Sequence, residues 1–330
     1  MAKNIEANNA QVVLAPADYL APLRIVLGWM FFSAWLRRFV SVPAKMDPNS
    51  PLYVGKKFDT FLPHAFLIKP MLGYLVTHPH LLYSYVYAFS WIEFLVGLSL
   101  MFGLLTRLGA LGGTLLSLGI LLGAGWLGST CLDEWQIGSV EGIAALTFLF
   151  AGGGLFSLDR FIGNWWPNRF SPGGESGRKL VIGAVVLALI ITLGTYQVFF
   201  GGFTSLHNDS KAPRLDLGGT SLAADGLLQL ELYRDGGPDT YGSFVTAVKV
   251  DGLFTWTAAD LAKTSPASIA NLYPLQKVTA GPEGLVVPLG AKADVSLRLP
   301  AGKTLQRGRT YHVTVYDVSG LHWETAVTAG

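Results

Sequence analysis

Five long apolar segments occupy the first 204 residues of this 330-residue chain, and they restrict its fold more than any other feature. A helix that crosses the hydrocarbon core of a bilayer needs about 17 to 25 mostly apolar residues. The segments cover residues 19–36, 81–105, 108–128, 137–156 and 180–204. Residues 1–18 are polar, with no pattern of a cleaved signal peptide. We therefore predict an integral membrane protein with five spanning helices.

The pattern changes at about residue 205, where apolar and polar residues begin to alternate. Such runs occupy residues 227–234, 243–250, 293–299, 310–318 and 323–329, with Gly, Pro and Asp between them. Short alternating strands at this spacing indicate a small β-sandwich. The expected fold is a membrane all-α helical bundle with a fifth helix, followed by a small all-β sandwich. The expected domains are residues 1–179 and 180–330, the second comprising a membrane helix (180–204) and the sandwich (205–330).

The composition and motifs exclude several classes of protein. Only 14% of the residues are charged and the mean hydropathy is +0.41, which indicates a bilayer environment. The net charge of +2 is too small to suggest nucleic-acid binding. One cysteine, Cys131, cannot form a CxxC pair or an iron–sulfur site within one chain. No haem-attachment, HExxH, Walker or GxGxxG motif is present.

The orientation is predicted from the positive residues near the membrane ends. Lys and Arg occur both in the loop 37–80 and in the linker 157–179, so the two regions indicate opposite orientations of the chain in the membrane. Short segments close to the membrane count more than long loops. The linker carries the compact set Arg160, Arg169, Arg178 and Lys179. We therefore place the N-terminus inside and the sandwich outside a cell membrane that the chain crosses several times.

Three charged residues fall inside predicted spans, where a charge is costly. Arg24 and Glu141 lie within about six residues of their helix ends and could reach the interface. Glu93 is twelve residues into the second span and cannot do so as easily. We expect Glu93 to face a proton path, a quinone site or a buried basic partner.

The orientation also places two loops on the same outer side of the membrane. Arg37 and Arg38 follow the first span, and Cys131 lies between the third and fourth. Nearby guanidinium groups lower the pKa of a thiol and favour the reactive thiolate. The loops could therefore form a cationic pocket that contains a thiol. The alternative is that Cys131 is inert packing and that the arginines contact lipid phosphate.

Two segments carry a family resemblance. LRIVLGWMFFSAWLRRF in the first span and EFLVGLSLMFGLLTRLGALGG, which begins at Glu93 in the second span, resemble the DoxX-like superfamily of four-helix membrane proteins. Residues 19 to about 170 resemble DoxD, and the fifth span with the strand domain resembles DoxA. These are the two subunits of thiosulfate:quinone oxidoreductase, here fused in one chain. The resemblance covers nearly the full length.

The resemblance implies oxidation of two thiosulfates to tetrathionate, with two electrons passed to a membrane quinone. The quinone is the electron-accepting substrate, and no metal is expected. The residue roles follow from chemistry and not from a matched motif. Thiosulfate binding is assigned to Arg37 and Arg38, catalysis to Cys131 and Glu93, and the quinone or proton path to Glu141, Arg24 and Trp135. The expected partners are thiosulfate, quinone and the bilayer, and a homo-oligomer is left open.

Two other functions are compatible with the sequence. One is a transporter of small sulfur oxyanions, with Arg24 and Glu93 along its path, although five spans without an inverted repeat argue against it. The other is a non-catalytic assembly subunit whose outer sandwich docks a redox protein.

Overall fold

The computed structural model describes residues 14–124, 133–162, 174–195, 197, 213–237, 242–303 and 305–330. The long helices of this part are α1 (Ala21–Leu36), α2 (Lys69–Thr77), α3 (Pro79–Phe102), α4 (Thr106–Ala124), α5 (Asp133–Ala151) and α6 (Gly174–Leu189). The π-helical segments Arg37–Ser41 and Ile190–Gly194 continue α1 and α6. Short helical segments lie at Pro16–Tyr19, Pro43–Met46, Val54–Lys56, Lys57–Phe61, Leu62–His64 and Asp159–Ile162.

Three helices in the described residues are long enough and apolar enough to cross a bilayer. They are Pro79–Phe102, Thr106–Ala124 and Gly174–Gly194, at the second, third and fifth predicted spans. This finding indicates a membrane protein. Helices also form at the first and fourth predicted spans, as α1 and α5. That these two cross the bilayer stays a prediction, because α1 has only 16 residues and α5 begins with two acidic residues.

The described chain divides into two compact units. The first comprises Met1–Ser41, Ser90–Leu116 and Val140–Ala188, and the second comprises Val42–Phe89, Ser117–Ser139 and Leu189–Gly330. In the first unit, α1 and α3 approach closely at two glycines. A Cβ on Gly28 would lie 2.5 Å from the backbone nitrogen of Met101, and one on Gly97 would lie 2.5 Å from that of Phe32. The missing side chains therefore allow backbone contact, as is common between membrane helices.

The C-terminal part of the second unit is an all-β domain of two antiparallel sheets. The first sheet has the order β1-β3-β9-β6, with β2 paired to β3, and the second has the order β11-β10-β4-β8-β7, with β5 paired to β4. The strands are β1 (Arg214–Asp216), β2 (Ser221–Leu222), β3 (Leu227–Gly236), β4 (Val245–Val250), β5 (Phe254–Trp256), β6 (Ile269–Asn271), β7 (Thr279–Gly281), β8 (Gly284–Val286), β9 (Lys292–Arg298), β10 (Thr310–Asp317) and β11 (His322–Thr328).

Alternation along the strands forms the core of this domain. Leu228, Leu230 and Leu232 of β3 are fully buried, and the residues between them are more exposed. Successive side chains of a strand point to opposite faces, so one face of each sheet is apolar. All five predicted strand runs form strands, which confirms the prediction of a strand-rich C-terminal domain.

The connection between α1 and α3 packs against the β domain within the second unit. Leu62, Leu72 and Val76 form one apolar cluster with Tyr273 of the β domain. A second cluster, of Leu75, Leu82 and Val86, includes Leu275. The helix α2 has nine residues and begins in this connection. Its proline, Pro70, lies in the first turn, where a missing N–H costs nothing.

Candidate functional site

An ion pair joins the end of α1 to the middle of α3. The guanidinium of Arg38 donates to the carboxylate of Glu93, and the same nitrogen, Nη1, lies 2.9 Å from the hydroxyl of Ser90. The Glu93 side chain is 5% exposed and that of Arg38 is 18% exposed. Charge-assisted hydrogen bonds of this kind are stronger than neutral ones. The basic partner expected for Glu93 is therefore Arg38.

Local helix geometry aligns these groups. Ser90 and Glu93 are three residues apart on α3 and so lie on one face of the helix. Arg38 belongs to the π-helical segment Arg37–Ser41, which follows directly from α1. Single π-helical turns associated with α-helices are often found at functional sites. The close contact at Gly28 and Gly97 fixes how α1 lies against α3.

Two further charges act on Glu93. Arg37 and the carboxylate of Glu141 on α5 are both near enough to interact with it electrostatically. Arg37 itself is exposed, and its Nε donates to the Ser33 carbonyl at 3.3 Å. The four predicted site residues Arg37, Arg38, Glu93 and Glu141 therefore share one region, with two basic and two acidic side chains.

Aromatic rings surround the segment that carries the ion pair. The Trp35 ring lies 5.4 Å from Trp91 and 4.6 Å from Phe94, and it stacks on Phe39 at 5.5 Å. The rings of Trp91 and Phe94 are themselves 5.3 Å apart. The Trp35 Nε1–H is buried and has no acceptor among the described residues. Buried indole N–H groups usually have a partner, so this donor is available to a ligand.

Sequence reasoning missed Trp35, Ser90 and Trp91. The sequence spacing could have indicated Trp35 and Ser90, because Trp35 precedes Arg38 by three residues and Ser90 precedes Glu93 by three. Residues three apart on a helix are neighbours. Trp91 could not be found in this way, since its role depends on how α3 faces α1.

Arg24 lies away from this group. It is fully buried, and its guanidinium donates to the carbonyls of Leu100 and Phe156, each at 2.6 Å. Leu100 is in the last turn of α3, whose carbonyls have no partner within the helix. Fourteen residues separate Arg24 from Arg38, or about 21 Å along a helix. The structure therefore places Arg24 at the other end of α1, where it caps α3.

The remaining predicted residues are less informative. Trp135 Nε1 donates to the hydroxyl of Thr195 at 3.0 Å, both within the second unit. Cys131 lies outside the described residues. Within the described ranges no group of three or more His, Cys, Asp or Glu could hold a metal ion.

A second buried carboxylate, which the sequence did not predict, lies in the connection before α2. Asp59 is fully buried, and its Oδ2 accepts from the backbone N–H of Gln276 at 2.7 Å. Its Oδ1 has no partner among the described residues. Burial raises the pKa of Asp59 to about 7, although the Gln276 N–H and Lys56 act in the opposite direction. Asp59 is therefore a titratable group where the connection meets the β domain.

These features define a class of protein: a helical membrane protein with a partly buried ionic and aromatic site and a separate C-terminal β domain. Residues 19–167 match the family described as TQO small subunit DoxD. Residues 199–326 match the family described as TQO small subunit DoxA. The chain belongs to these two families of thiosulfate:quinone oxidoreductase subunits and carries them in tandem, as the sequence resemblance indicated.

Proposed function

We propose that this chain is a thiosulfate:quinone oxidoreductase that reduces a membrane quinone beside the Arg38–Glu93 ion pair. The observation that carries the proposal is that the two helices that hold the buried Glu93 carboxylate also hold the ring cluster of Trp35, Trp91 and Phe94. In this cluster the Trp35 N–H has no acceptor among the described residues. A flat quinone ring can stack on such rings, and the Trp35 N–H can donate to a quinone oxygen. The family relationship supplies the substrate class.

The overall reaction defines what this site has to do. Two thiosulfates, one quinone and two protons give one tetrathionate and one quinol. Glu93 can pass protons to the quinone oxygens, and Arg38 can hold the carboxylate in place between transfers. Glu141 lies close enough to Glu93 to be the next carboxyl in the path. The two carboxylates are thus assigned to proton delivery.

The thiosulfate half is assigned to Arg37 and Cys131. Arg38 is engaged with Glu93, whereas Arg37 is exposed and suited to a dianion. The Cys131 thiolate and the outer sulfur of thiosulfate lose two electrons to quinone and form a Cys–S–S–SO3 adduct. A second thiosulfate attacks the sulfane sulfur of this adduct, which releases tetrathionate and restores the thiolate. Charge and atoms balance in both steps.

The topology proposed is five spans, with the β domain outside the cell membrane. The connection of residues 42–78 packs against the β domain in one compact unit, which supports placing both on the same side. Four crossings separate them in the five-span arrangement, and an even number gives the same side. The positive residues of the linker support the outer location.

The purified single chain, given thiosulfate and a short-chain quinone, tests this function. We expect tetrathionate and quinol in a one-to-one ratio, and no quinol without thiosulfate. A chain that binds thiosulfate and forms no quinol would instead be a carrier or an assembly subunit.

A further inference from the structure

A polar cleft lies at the far end of the first unit, away from Arg38. Its volume is about 230 Å³, and its lining includes Arg107, the glycines at 152–154, Ser157 and Arg160. All of these residues belong to the first unit. The quinone reaction proposed above uses none of them. The cleft is large enough for a small polar group and too small for a quinone with its tail.

Two guanidinium groups give the cleft a positive character. Arg107 is held rigidly, because its Nη1 donates to the carbonyls of Leu149 and Phe150 at 2.6 and 2.9 Å. Arg160 is exposed, and its contact with the Leu155 carbonyl is long, at 3.4 Å. The Arg160 guanidinium also lies 5.1 Å from the centre of the Phe161 ring. One arginine is therefore preorganised, and the other is exposed and held by weak contacts.

The acidic residue in the lining is already engaged. Both carboxylate oxygens of Asp159 accept backbone N–H groups, from Leu105 at 2.6 Å and from Thr106 at 3.0 Å. These bonds cap the start of α4, where a negative charge is favourable. Asp159 therefore does not neutralise both arginines, and the lining keeps an excess of positive charge.

The glycine segment contributes backbone donors. Gly152 and Gly154 have positive φ angles of 76° and 69°, which few other residues adopt. The N–H groups of Gly153 and Gly154 have no acceptor among the described residues. Unsatisfied N–H groups in a partly buried segment are rare, and turns of this kind often form concave anion sites.

We infer that this cleft binds the tetrahedral oxyanion of a phosphate group. Two guanidinium groups and backbone N–H groups are the donors that recognise such an oxyanion, whereas the Ser157 hydroxyl already donates to the Gly154 carbonyl at 2.6 Å. The group could belong to an anionic lipid or to free phosphate. The side chains of Phe156 and Phe161 near the cleft are 66% and 76% exposed, which suits contact with acyl chains. The site is independent of the thiosulfate and quinone reaction.

The test compares three forms of the full chain in uncharged detergent: wild type, Arg160→Gln and Arg178→Gln. Arg178 is exposed on α6, is not part of the cleft lining, and loses the same charge. The midpoint of thermal unfolding is measured at increasing concentrations of phosphatidylglycerol, phosphatidylcholine or inorganic phosphate. Chloride at the same ionic strength is the control for inorganic phosphate.

We expect phosphatidylglycerol to raise the unfolding midpoint of wild type and of Arg178→Gln. Arg160→Gln should need about tenfold more lipid for the same rise, because it loses one charged hydrogen bond to the ligand. If inorganic phosphate gives the same pattern, the free oxyanion suffices; if it has no effect, the ligand is the lipid headgroup. An equal response of all three proteins, an equal loss in both variants, or an equal effect of phosphatidylcholine would overturn the inference.

Discussion

Arg38 and the buried Glu93 form a partly buried ion pair between the π-helical end of α1 and the middle of α3. Trp35, three residues before Arg38, packs against Trp91 and Phe94 of α3, and its indole N–H has no acceptor among the described residues. Leaving a buried carboxylate without its cation is costly, about 3 to 5 kcal/mol in proteins. The arrangement therefore keeps Glu93 in one place, as the proposed proton transfer requires.

The first prediction concerns the indole donor. In Trp35→Phe the ring remains and the N–H is lost, so a quinone oxygen loses one hydrogen bond. We expect the KM for quinone to rise about fivefold to tenfold, the usual effect of one neutral hydrogen bond. Steady-state kinetics with a short-chain quinone measure this.

Trp29→Phe is the matched control, because Trp29 lies on the same helix and is 49% exposed. Its KM should equal that of the wild type. If both variants change the KM equally, Trp35 is not the donor.

The second prediction concerns Cys131. During turnover with thiosulfate and quinone, the peptide that carries Cys131 should gain about 112 Da, the mass of the S2O3 group that joins the thiolate when quinone takes up two electrons. Cys131→Ser should fold and form no tetrathionate. Mass spectrometry of the digested protein measures the adduct. Tetrathionate formation by Cys131→Ser at the wild-type rate would remove the covalent mechanism.

The third prediction concerns the contact of α1 with α3. A Cβ on Gly97 would meet the backbone of Phe32, which cannot move aside without shifting α1. Gly97→Ala should therefore lower the free energy of unfolding by about 1 to 3 kcal/mol. Thermal unfolding in detergent measures the loss, and the altered helix contact should also reduce quinone turnover.

Gly119→Ala provides the comparison, since nothing lies within 4 Å of a Cβ at Gly119 in α4. This substitution should be neutral or stabilising by up to about 1 kcal/mol, because alanine favours a helix. Equal stability of the two variants would contradict the backbone contact between α1 and α3 at Gly97.

The fourth prediction concerns pH. The native state raises the pKa of Asp59 from its usual value to about 7, so it keeps a proton that the unfolded chain loses above about pH 4. Stability from this group is complete below about pH 4 and falls as the pH rises to 7. The slope is at most about 1.4 kcal/mol per pH unit.

Asp59→Asn should remove the contribution of this group to the pH dependence of stability. The side-chain oxygen of the variant should still accept a hydrogen bond from the Gln276 N–H. The unfolding midpoint is measured from pH 4 to pH 8 for both proteins. The same pH dependence in both would show that Asp59 does not titrate in this range.

The sequence predicted much of the fold because its signals are local. Apolar length located the second, third and fifth spans, and alternation located the five principal strands. The capping role of Arg24 was not predictable, because the carbonyls it binds belong to residues 100 and 156. Such contacts depend on how helices lie together, which local patterns do not contain.

The candidate site was predictable in part. The burial of Glu93 follows from its position in a long apolar segment, and a basic partner was one of its expected roles. Glu93 pairs with Arg38 and not with Arg24 because the close contacts at Gly28 and Gly97 place the end of α1 near Glu93. Asp59 gave no signal, since it lies in a polar connection and is buried by the β domain.

The most direct test of the central claim is the rate of quinol formation by Glu93→Gln. The substitution keeps the shape of the side chain and removes its proton transfer, which is commonly worth about 100-fold or more in rate. Glu175→Gln is the control, because that carboxylate is 79% exposed on α6. We predict a kcat about 100-fold lower for Glu93→Gln, with folded protein retained, and an unchanged kcat for Glu175→Gln. Wild-type kcat in Glu93→Gln, together with loss of folded protein in Glu93→Leu, would show that Glu93 only stabilises the helices.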